Sequence, residues 1–462
     1  MKKKEIEQTA IHAGAAKVDI TPPYGTIING DFLPMYARVI NDALFAKALA
    51  FKDGKKYFVF VVVDNMALDI DLINAAKENI KNCTGLQPDQ VMIAATHAHS
   101  CGSVVETGTC AVDLLYRSIL PEKITNAVKL ALHNLQPAKI AWGNADVPKH
   151  VACRRWFMKP GFSTINPFGE KDKVWMNPPI GSKFLDHPVS PTDPQVSYLA
   201  VKSLSDKWIS LLVNYSTHYV ADIPVDTISA DYFGQVDLQL KAKLKTGNNF
   251  VGIMSNGTSG DVNTFDFEQK KNYPTVSFQK SKLIANDITD AIILSLQKLS
   301  WTSKPVFKTA ITTALIATRK PSLQLLQKSK ELVKNTDYTT LNTTDKASDA
   351  FAKLYALEIV KLHYYQPNKL YLPLQAIRIG EGTIGTLPGE FFSETGLKLK
   401  SKAPCKYYFS ISLANAMVGY VPPAAQFTLG GYETWLCFGS YAAKNAEQKI
   451  SAALLKLVQS IQ

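Results

Sequence analysis

The chain has 462 residues, of which 46% are apolar and 19% charged, and its formal net charge is +12. These values exclude a disordered chain, a collagen and a coiled coil, and no stretch reaches the roughly 18 consecutive apolar residues that a membrane span requires. The lysines are scattered along the chain rather than clustered, so we predict no nucleic-acid partner despite the positive charge.

Apolar strands alternate with helical segments along most of the chain, which is typical of an α/β fold. The run 57–63 is apolar and β-branched, as expected for a strand buried on both faces. Further strands are predicted over 91–95, 139–143, 197–201, 209–214, 250–254, 374–379 and 407–412. Helices are predicted over 71–83, 114–135, 232–245, 276–299, 322–334, 347–364 and 442–459.

Between residues 150 and 194 the alternation is lost, and the segment is rich in proline, glycine and aromatic residues. Such a segment is typical of a long active-site loop, and its aromatic side chains would stack on a sugar ring or an acyl chain. No repeat or linker divides the chain. We therefore predict an N-terminal tail over 1–13 and a single domain over 14–462.

Six cysteines have neither zinc-knuckle spacing nor the density of a disulfide framework, so they are not predicted as metal ligands. The chain begins with Met-Lys-Lys-Lys, and no apolar segment follows this basic start. The protein is thus expected to be cytoplasmic, or periplasmic or secreted if a leader preceded this start. The oligomeric state is not indicated.

The sharpest local pattern is His97-Ala-His99, which follows the apolar strand 91–95 directly. If the strand continued, both imidazoles would point to one face at its open end, where α/β sheets bind ligands. Neutral imidazole is the commonest protein ligand of zinc. The pattern therefore indicates either a metal site or a pair of hydrogen-bonded polar histidines.

Another histidine, His218, also comes just after an apolar strand, 209–214. Ser229 or Asp231 then lies where a helix begins, and the simplest role for either is that of a helix cap.

Two more predicted strands end in polar residues. The strand 250–254 runs into a glycine-rich loop, 255–264, which resembles an oxyanion cradle but lacks the lysine of a P-loop. Glu390 begins a helix after a further strand, where it either binds a ligand or complements the helix dipole. Two histidines, a carboxylate and another oxygen donor together match the ligand set of an open zinc site.

This combination of motifs resembles the neutral/alkaline ceramidases, a family of zinc-dependent amidases. The matching stretches occur in the family's order over about residues 14–435: Ala15-Ala-Lys-Val-Asp19-Ile-Thr-Pro-Pro, Ala95-Thr-His-Ala-His-Ser, Asn214-Tyr-Ser-Thr-His218, Ser229-Ala-Asp-Tyr, Gly260-Asp-Val-Asn, Leu387-Pro-Gly-Glu390, and Asn415 through Tyr420 to Tyr432-Glu433. The resemblance implies an α/β catalytic domain with a large mixed β-sheet flanked by helices. The family's C-terminal β-sandwich domain is not expected in this sequence.

The resemblance also implies a set of site residues. The implied Zn²⁺ ligands are His97, His218, Glu390 and Tyr420. His99 would transfer protons or orient the substrate, and Tyr432 would donate a hydrogen bond to the developing oxyanion. Arg154 falls near the family's active-site arginine, with Arg155 as the alternative because the spacing here is two residues longer.

One position departs from the family. Asn263 stands where ceramidases carry a catalytic serine, and an amide cannot act as a nucleophile. Asn263, Asp261 and the loop 150–194 would instead shape specificity. We expect a zinc-dependent hydrolase of a small lipid- or carbohydrate-derived molecule, cleaving an amide, ester, lactone or glycan linkage other than ceramide. The alternative is a non-catalytic carbohydrate- or lipid-binding protein on the same fold.

Overall fold

A computed structural model of the chain describes residues 10–341, 349–365 and 367–462. Most of the predicted tail, 1–13, and the start of the predicted helix 347–364 lie outside the described residues. No helix in the described part of the chain is both long and apolar enough to cross a membrane.

The described residues form strands and helices that alternate over most of the chain. In chain order the strands are β1 (His12–Asp19), β2 (Ile27–Asn29), β3 (Met35–Tyr36), β4 (Val39–Ile40), β5 (Phe45–Asp53), β6 (Lys56–Val63), β7 (Val91–Ala95), β8 (Cys101–Gly102), β9 (Gln136–Asp146), β10 (Ala152–Cys153), β11 (Arg155–Met158), β12 (Val174–Met176), β13 (Leu185–Pro188), β14 (Gln195–Ser203), β15 (Trp208–Tyr215), β16 (Thr227–Ile228), β17 (Val251–Asn256), β18 (Val262–Asn263), β19 (Phe307–Ala317), β20 (Lys369–Ile379), β21 (Gly382–Thr386), β22 (Glu390–Phe391), β23 (Tyr407–Ile411) and β24 (Tyr420–Val421). The helices are α1 (Ile70–Thr84), α2 (Leu114–His133), α3 (Asp231–Lys243), α4 (Gln279–Ser295), α5 (Leu323–Lys334), α6 (Asp349–Tyr365), α7 (Ser393–Lys402) and α8 (Ala446–Ser460).

An eight-stranded mixed sheet forms the centre of the fold, with strand order β17-β15-β14-β9-β1-β5-β6-β7. The β15–β17 and β6–β7 pairs are parallel, and the pairs between them are antiparallel. The large mixed sheet predicted from the sequence is therefore confirmed.

A second, four-stranded sheet with order β19-β20-β21-β23 packs against the first, which the sequence analysis did not predict. Strand β6 illustrates the layering. Phe58 and Phe60 lie in one core cluster with side chains of the second sheet, whereas Val59 and Val61 lie in another cluster with the helices. Each fully buried phenylalanine contributes about 1.5–3 kcal/mol.

Helices cover the outer faces of both sheets. Apolar side chains of α1, α2, α3 and α4 pack on the eight-stranded sheet, and those of α8 pack on the four-stranded sheet. The molecule therefore has four layers: helices, sheet, sheet and helices.

The segment 150–194, predicted as a loop region, contains short strands. Strands β12, β11 and β13 form a three-stranded antiparallel sheet, in which Trp156 pairs with Trp175. Strand β10 pairs with β18 and so joins the segment to the glycine-rich loop. The strands of this segment are two to four residues long, too short to show a clear period in the sequence.

Candidate metal centre and active site

His97 lies just beyond the buried strand β7. The strand ends at Ala95, and His97 has a positive φ of 75° with its N–H donating to Asn65 O at 2.9 Å. From the sequence, His97 and His99 were predicted to lie on one face of a continuing strand. That geometry is wrong, because a left-handed turn, not strand alternation, brings the two imidazoles together.

All three histidines of the site are oriented by the backbone. The Nδ1 atoms lie against carbonyl oxygens: His97 on Met66 at 2.8 Å, His99 on Gly30 at 2.8 Å and His218 on Ser259 at 3.3 Å. A carbonyl only accepts, so Nδ1 carries the proton in each ring and Nε2 presents a lone pair. Metal-binding histidines are commonly held in this way.

The Nε2 atoms converge on one point. His97 Nε2 lies 3.2 Å from that of His218 and 3.3 Å from that of His99. The Oε2 atom of Glu390 is 3.2 Å from His97 Nε2 and 4.0 Å from His218 Nε2, is buried, and receives no hydrogen bond from the described residues. Lone pairs this close repel one another unless a cation lies between them, so the donor set fits a metal ion.

Electrostatics keep two of these imidazoles neutral. Burial, with a further contribution from the neighbouring His97, holds the pKa of His99 and of His218 well below the ordinary value of 6.5. A neutral imidazole is the form that binds a metal, so at neutral pH no proton has to leave first.

Glu390 and Tyr420 meet on two short paired strands. Strands β22 and β24 run parallel, with Glu390 directly opposite Tyr420, and both side chains are buried. The prediction that Glu390 begins a helix is wrong, because α7 starts at Ser393. Burial raises the pKa of the Tyr420 phenol well above its usual range, so the phenol keeps its proton at neutral pH unless a bound cation displaces it.

The other capping prediction also needs correction. Asp231 is the first residue of α3, after an N-cap at Ala230, and has a positive φ of 54°. Its carboxylate accepts hydrogen bonds from the N–H groups of Val220 and Tyr232, and Ser229 Oγ accepts from Asp231 N–H. Both side chains thus organise the start of α3.

The glycine-rich loop holds the Glu390 strand in place. The N–H of Gly257 donates to Tyr215 O at 3.0 Å and that of Gly260 to Phe391 O at 2.8 Å. These two groups are therefore engaged within the protein, whereas the sequence analysis expected the loop to resemble an oxyanion cradle.

We expect Gly260→Ala to lower the free energy of unfolding by about 1–3 kcal/mol and to weaken metal binding. A Cβ at Gly260 would lie 2.7 Å from the main-chain oxygen of Glu390, which has no freedom to move away alone. Chemical denaturation and metal titration would measure both effects. Gly247→Ala is the matched control, since its Cβ meets no atom within 4 Å. Equal behaviour of the two variants would contradict the prediction.

Arg154 and Arg155 share a single buried carboxylate. Arg154 Nε donates to Glu433 Oε1 at 2.7 Å, and Arg155 Nη1 donates to Glu433 Oε2 at 2.5 Å. Arg154 lines the cavity and its Nη1 lies 3.5 Å from His218 Nε2, whereas Arg155 is fully buried and also bonds Gly430 O. Of the two arginines left open by the sequence, Arg154 is the one beside the histidines.

Asn263 and Asp261 occupy different positions. Asn263 lines the cavity together with His218, and the loop that precedes Asn263 supplies Ser259 O to that histidine. Asp261 is fully buried and accepts hydrogen bonds from Ser190 Oγ and from Ser393 N, both at 2.7 Å. The contacts of Asp261 tie the loop to neighbouring segments.

The histidines lie in the wall of a cavity of about 730 Å³. Tyr432 and Tyr420 also line it, with ring centroids 5.7 Å apart. Tyr219 stacks on His99 at 3.7 Å between centroids and was missed by the sequence analysis, where its position next to His218 was the only available signal.

The aromatic residues of the segment 150–194 pack mainly within the protein. Trp175 contacts Trp435 and Phe162, and Phe168 contacts Tyr355. Five of these side chains were predicted from the sequence to stack on a substrate: Trp156, Phe157, Phe162, Phe168 and Trp175. The aromatic rings lining the cavity come instead from other segments: Phe32, Tyr219, Phe351, Tyr420, Tyr432, Phe438 and Tyr441.

A buried glutamate, Glu358 of α6, also lines the cavity. Burial raises its pKa to about 7, opposed by the smaller effects of Lys361 and of the Phe438 N–H. The unfolded chain ionises from about pH 4.5, so the native state loses stability as the pH rises from there towards 7.

Glu358→Gln is therefore expected to become more stable relative to the wild type as the pH increases, by about 3 kcal/mol between about pH 4.5 and 7. Urea denaturation near pH 5 and near pH 8 would measure the difference. The exposed Glu122→Gln serves as control and should show no comparable pH dependence. A constant difference between Glu358→Gln and wild type across this range would refute the prediction.

The fold and the site together define a four-layered α/β protein whose buried histidine–carboxylate cluster opens into a cavity. No protein-family model and no curated protein sequence matches the chain.

Solved structures do share its architecture. A neutral ceramidase from Pseudomonas aeruginosa matches with a TM-score of 0.72 and 14% sequence identity, over 98% of this chain and 74% of that chain. A ceramidase complexed with C2 matches with a TM-score of 0.72 and 13% identity, over 98% and 75%. The chain has the neutral-ceramidase fold, which confirms the fold that the motifs predicted.

Proposed function

We propose that this protein is a zinc-dependent hydrolase of a small lipid- or carbohydrate-derived substrate. The observation that carries the proposal is the convergence of three imidazole Nε2 atoms and an unsatisfied Glu390 carboxylate oxygen in a cavity wall. The neutral-ceramidase fold supports hydrolysis as the reaction class, and Asn263 in place of the family's serine argues against ceramide as substrate. Residues 14–462 would form the single catalytic domain.

His97, His218, Glu390 and Tyr420 would hold the zinc ion. When bound, zinc supplies Lewis acidity that polarises a carbonyl oxygen and makes water more acidic. His99 would move protons at its Nε2 atom. The contact of its Nδ1 with Gly30 O and the stacking on Tyr219 hold the ring in a fixed orientation for this role.

Two further side chains would act on the substrate. Burial raises the pKa of Tyr432 well above its usual range, so the phenol keeps the proton that it would donate to a developing oxyanion. Arg154 would bind an oxygen of the substrate and stay charged beside Glu433.

The first test is the metal content of the purified protein and of a His97→Ala/Glu390→Ala double variant, by elemental mass spectrometry. We expect about one zinc per wild-type chain and none in the variant. His187→Ala, at a mostly exposed histidine, is the control and should keep its metal.

A screen of chromogenic amides, esters, lactones and glycosides follows on the same proteins. Hydrolysis that is lost with the metal would support the proposal. No metal after zinc is offered would overturn it, and metal without hydrolysis would favour the non-catalytic carbohydrate- or lipid-binding alternative.

A further inference from the structure

Asn177 is a cavity residue that the sequence analysis did not single out. It follows strand β12 and has a positive φ of 50°, a conformation that asparagine tolerates better than most residues. Its N–H donates to Arg154 O at 2.8 Å, so its backbone adjoins an arginine of the site. Asn177, Asn263 and His218 all line the same cavity.

The hydrogen bonds settle the orientation of both side-chain amides. The backbone N–H of Thr264 lies 2.7 Å from Asn263 Oδ1, and a backbone N–H can only donate. The other end of the Asn263 amide is therefore Nδ2, which donates to Asn177 Oδ1 at 3.2 Å. Since the oxygen of the Asn177 amide faces Asn263, the Nδ2 of Asn177 lies on the side of the amide that points away from Asn263.

Each amide oxygen of the pair thus already accepts one hydrogen bond within the protein, and most of the unused hydrogen-bonding capacity consists of N–H groups. Among the described residues, none accepts a hydrogen bond from Asn177 Nδ2. The second N–H of Asn263 Nδ2 likewise has no acceptor among them. A serine hydroxyl has a single proton to donate, whereas this pair has three N–H groups left to donate. The charged guanidinium of Arg154 lines the same cavity.

We propose that Asn177 and Asn263 form a donor-rich subsite that binds an oxygen acceptor of the substrate, a carbonyl or carboxylate oxygen. This inference rests on the proposed function and narrows its substrate class. Leaving these amide donors unpaired beside a bound substrate would be unfavourable, so substrates that present an ammonium group at this place, which has no lone pair to accept, are discriminated against.

The test measures binding of three matched five-carbon probes to the full chain: glutarate, glutaramide and pentane-1,5-diamine. Titration calorimetry or ligand-detected NMR on zinc-loaded and on chelator-treated protein gives the affinities. We expect wild-type protein to bind both acceptor probes more tightly than the diamine. Glutarate and glutaramide distinguish a charged from a neutral acceptor.

Asn177→Asp reverses the polarity of the subsite without breaking the internal bond, because an aspartate oxygen still accepts from Asn263 Nδ2. It is expected to lose about tenfold or more in affinity for glutaramide and to gain affinity for the diamine. Asn177→Gly keeps the positive φ without strain and removes the side chain. This variant should lose affinity for the two acceptor probes and gain no affinity for the diamine.

A purely structural role for Asn177 predicts a different result, since Asn177→Asp would then leave the ratio of glutaramide to diamine affinity unchanged. That outcome overturns the proposal, as does wild-type protein that shows no preference for the acceptor probes. Failure of the proposed function would look different. If the protein binds no metal and is inactive but still prefers the acceptor probes, the subsite stands and the proposed function fails. If the protein is an active zinc enzyme without this preference, the proposed function stands and the subsite fails.

Discussion

Replacing Glu433 with glutamine is expected to lower the free energy of unfolding by about 3–5 kcal/mol, because it leaves two buried guanidinium groups without a carboxylate. Arg154 and Arg155 have almost no exposed surface, and Glu433 has none. Although burial alone would raise the pKa of Glu433, the charges of Arg155 and Arg154 hold it below its usual range. The carboxylate is therefore ionised at neutral pH, and glutamine keeps its shape but not its charge.

Urea denaturation at neutral pH would measure this loss. Glu381→Gln is the matched control, since Glu381 pairs with Lys406 at 3.0 Å but both side chains are more than half exposed. Exposed ion pairs contribute only about 0–1 kcal/mol, so this variant should remain close to wild type. A Glu433→Gln variant that loses no more than Glu381→Gln would show that the arginines find other compensation.

Zinc should stabilise the wild-type protein much more than it stabilises His218→Ala. A metal that binds only the native state adds about 4 kcal/mol of stability at a free concentration one thousand times its dissociation constant. His218 presents one of the converging Nε2 atoms, so its removal should abolish most of this gain. In metal-free protein the same substitution also relieves the repulsion between Nε2 lone pairs, and it should therefore cost less than an ordinary buried truncation.

Thermal or chemical denaturation with and without added zinc, after treatment with a chelator, would measure the difference. His187→Ala should respond to zinc as the wild type does, because His187 lies on the surface. Equal stabilisation of wild type and His218→Ala would place the metal elsewhere, and no stabilisation of either would argue against a metal centre.

Elements with a strong local pattern could be predicted from the sequence. Strand β6 is a continuous β-branched run and β7 was predicted with its observed bounds, because strands buried on both faces need apolar residues at every position. Strand β19 was missed, since half of its side chains are exposed and threonine-rich. The second sheet was also missed, because strand pairing across the chain is not encoded in local periodicity.

The residues of the candidate site also divide into those that the sequence pointed to and those that it did not. His97, His218 and Glu390 were found because polar residues directly after apolar strands stand out, and the resemblance to a known family added Tyr420. Asn177 and Tyr219 were missed, because an asparagine in a proline-rich segment and a tyrosine after a histidine carry no signal of their own.

By itself the sequence determined the alternation of strands and helices and the histidines and glutamate that stand out just beyond apolar strands. Those features depend on residue type and short spacing, which a single chain displays directly. Only the tertiary structure decided which nitrogen of each histidine is free, which arginine faces the cavity and which way the amide of Asn263 points. For the histidines and the arginine the deciding partner comes from a distant segment, and for Asn263 it is the neighbouring N–H of Thr264 as the folded loop places it. Such contacts exist only once the chain has folded.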